Sequence, residues 1–173
     1  MATLIEMVNL AERNNWDFSM DTENNRPYFM KNGDYVTPDE TTSKEDKELL
    51  AGIISEGSDE LKKAILICWD NNLKIAGPCS GIKEEHKNKP HSAHFGVVGP
   101  EDMIMPLCEN LKVKLPDYNH MYRENMDKTA RYDFSYFLNG KDLSKEESEV
   151  IFKVIVSSLE ETLGIHNDKK ALS

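Results

Sequence analysis

Apolar residues recur every three or four positions in some stretches of this chain and every second position in others, and the switches between the two periods outline its elements. Leu4, Val8 and Ala11 stand at helical spacing behind Thr3-Leu4-Ile5-Glu6, a capping box in which the Thr hydroxyl and Glu carboxylate serve the amides of a helix start, and Asn14 and Asn15 can stop that helix. Residues 16–20 alternate as a half-buried strand does. Asn32-Gly33 then predicts a hairpin between residues 28–31 and 34–36, because both central turn positions need positive φ. From Ser43 a second helix is signalled, with Leu49, Leu50, Ile53 and Ile54 as one apolar stripe and Gly57 placed to close it. Ser58 caps a third, in which residues 64–69 are apolar all round; a helix without a polar face is buried on several sides, so this one is expected at the centre of the packing.

Residues 73–76 alternate as a strand, and Gly77-Pro78-Cys79-Ser80-Gly81 reads as a turn at its carboxyl end, where layered α/β architectures often build sites. A polar loop follows over residues 82–91. Residues 92–99 form the next strand, with Phe95 and Val97 on one face and His94, Gly96 and Val98 on the other. Gly99-Pro100-Glu101-Asp102 opens a helix with Pro at its first position, and Pro106 is expected to bend or restart it. Residues 120–125 and 131–137 predict two more strands, the second with Tyr132, Phe134 and Tyr136 on one face. Ser144-Lys145-Glu146-Glu147 is a second capping box; behind it Ile151, Val154, Ile155, Ser158, Leu159 and Leu163 form an amphipathic helix closed by Gly164. This order implies an α+β fold with helices packed on a mixed or antiparallel sheet. Residues 1–42 are expected as a small appendage of helix, β-meander and linker, residues 43–164 as the main domain, and residues 165–173 as a frayed tail.

Composition sharpens this picture in two ways. Hydrophobic residues are 39% and charged residues 30% of the chain, the balance of a soluble globular protein. No apolar run approaches the roughly 20 residues that cross a bilayer, and the start lacks a signal-peptide pattern, so no membrane partner and a cytoplasmic location, in a bacterial host cell, are expected. Three cysteines at irregular spacing fit a reducing compartment, with Cys68 and Cys108 as small core residues. The net charge of −10 is concentrated early: residues 1–57 carry 5 basic against 12 acidic side chains, residues 58–143 carry 12 against 13. An acidic region of that kind repels nucleic acid and attracts a basic surface, such as the nucleic-acid channel of another protein.

Candidate chemistry lies between residues 61 and 98. Zinc would need converging His and Cys side chains, and neither Cys-x-x-Cys nor His-Glu-x-x-His is present, so no metal and no other cofactor is expected. A nucleophilic site would use Cys79 or Ser80 with His94 or His91 as base and turn amides for an oxyanion. A phosphate site would use the turn at Gly81 with Lys83, Lys87 and Lys89 to hold a nucleic-acid backbone, and Arg123 and Arg131 from neighbouring strands. Histidines there would act as general acid and base in cleavage at a ribose 2′-hydroxyl. Against both stands the plainer reading of a tight connection and a solvated loop.

The run Cys68-Trp69-Asp70-Asn71-Asn72-Leu73-Lys74, followed by Cys79-Ser80-Gly81 and a strand, resembles small phage and mobile-element accessory proteins in which a Cys-Trp helix leads to a Cys-x-Gly-His turn; here Ile82 stands where that pattern has His. The same order is faintly similar to the tRNA wybutosine-synthesis methyltransferases, whose Arg after the Gly is absent here. With the small size and acidic N-terminal third, the first resemblance implies an inhibitor of the anti-CRISPR type. Its partner would be a basic nucleic-acid-binding protein, such as a type II CRISPR effector nuclease, or that nuclease's guide RNA, bound or cut. The alternatives are an RNA-modifying or RNA-cleaving enzyme and a non-catalytic binding module.

Overall fold

The computed structural model describes residues 2–82, 85, 93–136 and 143–165. Among them, five helices and two antiparallel sheets make an α+β fold. The chain runs α1 (Leu4–Arg13), β1 (Asp17–Asp21), β2 (Arg26–Lys31), β3 (Asp34–Tyr35), α2 (Lys44–Ile54) and α3 (Asp59–Asp70). It continues as β4 (Lys74–Cys79), β5 (His94–Pro100), α4 (Glu101–Lys114), β6 (Asn119–Glu124), β7 (Thr129–Ser135) and α5 (Lys145–Thr162). β1–β3 form a three-stranded meander; the second sheet has the order β4-β5-β7-β6.

Local chemistry explains most boundaries. Both capping boxes form as expected, Thr3 with Glu6 and Ser144 with Glu147, and Ser43 and Ser58 cap α2 and α3 by accepting from Asp46 N and Leu61 N. Asn32 and Gly33 take φ of 52° and 83°, and the hairpin pairs Lys31 with Asp34. Three expectations change. β4 does not end at Ala76 but continues through Gly77 and Pro78 to Cys79, because Gly77 at φ 54° makes a bulge that shifts the register against β5. Pro100 is the residue before α4 and not its first turn, and α4 runs unbroken through Pro106; Pro106 and Asp102 are both exposed, so the carbonyl that loses its donor sits on the wet side.

The N-terminal elements pack onto the rest of the chain. Met7, Leu10, Trp16 and Phe29 from residues 1–42 belong to the same buried cluster as Ile65, Phe95, Phe134 and Phe152, so the N-terminal elements share one continuous core with the rest. A polar clamp fixes α1 to α2: Arg13 donates to Asp46 from Nε at 3.0 and 2.9 Å and from Nη2 at 2.5 Å, and Asn14 Nδ2 donates at 2.8 Å. The guanidinium beside it holds the largely buried Asp46 carboxyl below the usual carboxylate range.

α3 packs centrally as expected, against α2, β4 and α5, while α4 covers β5, β6 and β7. Phe95 and Val97 of β5 and Ala130, Tyr132 and Phe134 of β7 point into this helical layer and are buried. His120 of β6 belongs to the same side. Its Nδ1 lies 2.6 Å from Tyr132 Oη and its Nε2 2.6 Å from Leu115 O, so the Nε2 tautomer donates to the carbonyl and accepts from the buried phenol. His120 is a satisfied core histidine. Among the described residues, no helix packs on the opposite face of the four-stranded sheet.

Candidate functional site

The residues chosen from sequence separate into three groups. Cys79, Ser80 and Gly81 form a closed connection. Ser80 is fully buried; its Oγ accepts from Ile82 N at 3.2 Å and its carbonyl accepts from Ser148 Oγ of α5 at 2.7 Å. Gly81 O accepts from Leu143 N at 3.1 Å, beside a short parallel bridge between Ile82 and Leu143. Gly81 has φ of +71°, and a Cβ there would stand 2.7 Å from Ala93 N, so glycine is needed for close packing. Cys79 is buried with its thiol 3.9 Å from a Glu56 carboxylate oxygen. In this arrangement the Cys79-Ser80-Gly81 segment is a latch that ties the end of β4 to the start of α5, with the Ser80 hydroxyl turned away from solvent. His91, Lys83, Lys87 and Lys89 lie outside the described residues.

The third group comes together on the open sheet face. Strand alternation and the ladder registers put Lys74, Ala76, His94, Gly96, Val98, Arg131, Asp133, Ser135, Asn119, Met121 and Arg123 on it. His94 Nδ1 stands 2.6 Å from Gly77 O and its Nε2 3.2 Å from Asp133 Oδ1. Arg131 grips the same carboxylate with Nε at 2.6 Å from Oδ2 and Nη2 at 2.9 Å from Oδ1, which raises the guanidinium pKa further. Asp133 reaches His94 because Gly96 lies between them. A Cβ on Gly96 would meet Asp133 Oδ1 at 2.7 Å and Ala76 O at 2.6 Å. Arg123 is the direct cross-strand partner of Arg131.

A feature that sequence reading missed lies beside the N-terminal elements. α1, the β1–β2 turn and α2 enclose a groove of about 920 Å³, floored by Leu4, Met7, Met20, Leu49 and Ile53 and edged by Glu45, Glu48, Glu56 and Glu85, with Arg26 and Lys62 the cations beside them. The four apolar residues expected as a single stripe on α2 are divided. Leu50 enters the core, whereas Leu49 and Ile53, half-buried, line the groove together with Glu45, Glu48 and Gly52 at helical spacing. The early excess of acidic residues was the available signal; that part of it edges an apolar floor was not visible without the packing of α1.

No family model, curated protein or solved structure matches the chain. Among the described residues, no group of three His, Cys, Asp or Glu side chains could hold a metal ion, and no helix is long and apolar enough to cross a membrane.

Proposed function

We propose that the protein is a binding protein of the mobile-element inhibitor kind, which captures a basic segment of a nucleic-acid-binding partner in the acidic groove and so competes with that partner's nucleic acid. The target class carried over from the resemblance is an RNA-guided effector nuclease. The observation that carries the reading is the groove. Its volume lies in the range of specific sites, its floor is apolar, and Glu45, Glu48, Glu56 and Glu85 edge it. An amphipathic helix with Lys or Arg along its flanks matches both features, the apolar stripe on the floor and the cations on the rim.

The enzymatic alternative has less support. Cleavage of a guide RNA would rest on His94 without Ser80 or Cys79, both of which are buried. The test is co-elution with a purified type II effector nuclease and inhibition of its DNA cleavage, repeated with the double variant Glu45→Lys, Glu48→Lys. Capture and inhibition by the unaltered protein, both abolished by the double variant, support the groove. If the unaltered protein neither co-elutes nor inhibits, the reading fails for this target class.

A further inference from the structure

The open face of the four-stranded sheet carries a second pattern, visible only in its register. Lys74 pairs with Val98, Val98 with Arg131 and Arg131 with Arg123, so one transverse row crosses all four strands and bears a cation on three of them. At the usual strand spacing, Lys74 and Arg131 stand about 10 Å apart and Arg131 and Arg123 about 5 Å apart. The next row, Ala76, Gly96, Asp133 and Met121, holds the one carboxylate that the registers put on this face, and the row beyond it is His94, Ser135 and Asn119. A chain of net charge −10 therefore concentrates three fixed cations against one anion on a flat surface.

The row is also unfavourable as it stands. Like charges directly opposite on neighbouring strands destabilise a ladder. Arg131 is partly relieved by Asp133, and Tyr35 of β3 is close enough to act on its charge. Arg123 is exposed and has no ion-pair partner among the described residues. An anion laid along the row would neutralise Arg123 and Arg131 together. Successive phosphates of a nucleic-acid strand supply such a line of charge.

We propose that this face is a binding surface for the phosphate backbone of nucleic acid, with Lys74, Arg131 and Arg123 as the contact row and Asp133 and His94 as positioning residues that hold Arg131. The contact row itself carries no Phe, Tyr or Trp, so the contacts it offers are to backbone charge. The surface is distinct from the acidic groove, and the two stand or fall separately.

The test is fluorescence anisotropy of the full chain with short labelled single-stranded RNA and DNA over a salt series, using Arg123→Glu, Lys74→Glu and the shape-compatible Arg123→Thr. The proposal expects salt-dependent binding of both nucleic acids. Arg123→Glu should weaken it about tenfold or more, and each single variant should lower the salt slope by about 1. Arg123→Thr should lose affinity while its melting temperature stays level or rises, which separates lost contact from lost fold. Absence of binding by the unaltered protein at low salt overturns the proposal, as do equal affinities for Arg123→Glu and Lys74→Glu, or preferential capture of a poly-glutamate peptide over RNA. The groove variant Glu45→Lys, Glu48→Lys should bind RNA no more weakly; absence of nuclease capture by the unaltered protein, with RNA binding intact, removes the groove reading only.

Discussion

The groove and the open sheet face are built on opposite plans. In the groove, carboxylates surround an apolar floor, and affinity would come from burying Leu49, Ile53 and Met20 under a partner, with charge selecting which partner. On the sheet face the contact row is charged, and affinity would come from charge, so it should fall steeply with salt. Under the two proposals, a single chain would present one surface to a basic protein and another to a polyanion. A ribonucleoprotein offers both chemistries at once.

The comparison can be broken most severely at the sheet. Gly96→Ala puts a methyl group against Ala76 O and the Asp133 carboxylate, which backbone pairing on both sides prevents from moving away; a loss of about 3 kcal/mol in denaturant unfolding is expected. Ser148→Ala tests whether the Cys79-Ser80-Gly81 connection is a latch. It leaves the buried Ser80 carbonyl without its donor and should cost about 1–3 kcal/mol, with no change in RNA affinity; an unchanged midpoint would contradict the structural role.

The wall of the groove is sharpened by pH. Asp46 has its carboxyl lowered by Arg13, so the clamp's contribution is complete above the ordinary carboxylate value of about 4 and is lost as pH falls through the lower folded value. Stability of the unaltered protein should therefore fall more steeply in that acid window than stability of Asp46→Asn, measured by unfolding at stepped pH. The smallest stability effect is expected where the functional effect is largest. Glu45→Lys with Glu48→Lys changes only exposed residues and should shift stability by less than about 0.5 kcal/mol per site while abolishing capture of a basic partner.

Much of the fold was legible because its signals are local. Thr3 with Glu6, Ser144 with Glu147, Ser58, and Asn32-Gly33 all act within four residues, and each ends or turns an element where expected. The alternation in β5 and β7 likewise identified which side faces the helices. What misled was Gly77-Pro78. A glycine and a proline announce a break, but only the pairing with β5 reveals a bulge inside a strand. The burial of Ser80 was hidden for the same reason: the residues that tie this segment down, Ser148 and Leu143, are more than sixty positions away.

Sequence alone determined the order and type of the elements, the acidic character of the first third and the α+β class, since capping, turn chemistry and side-chain periodicity depend on neighbours along the chain. Tertiary structure decided which of those residues could act. Arg123, Arg131 and Lys74 become a row only through the register of four strands, and Glu45 and Glu48 edge a groove only because Arg13 clamps α1 against α2. Long-range pairing is set by how faces bury together, and no local pattern carries that information.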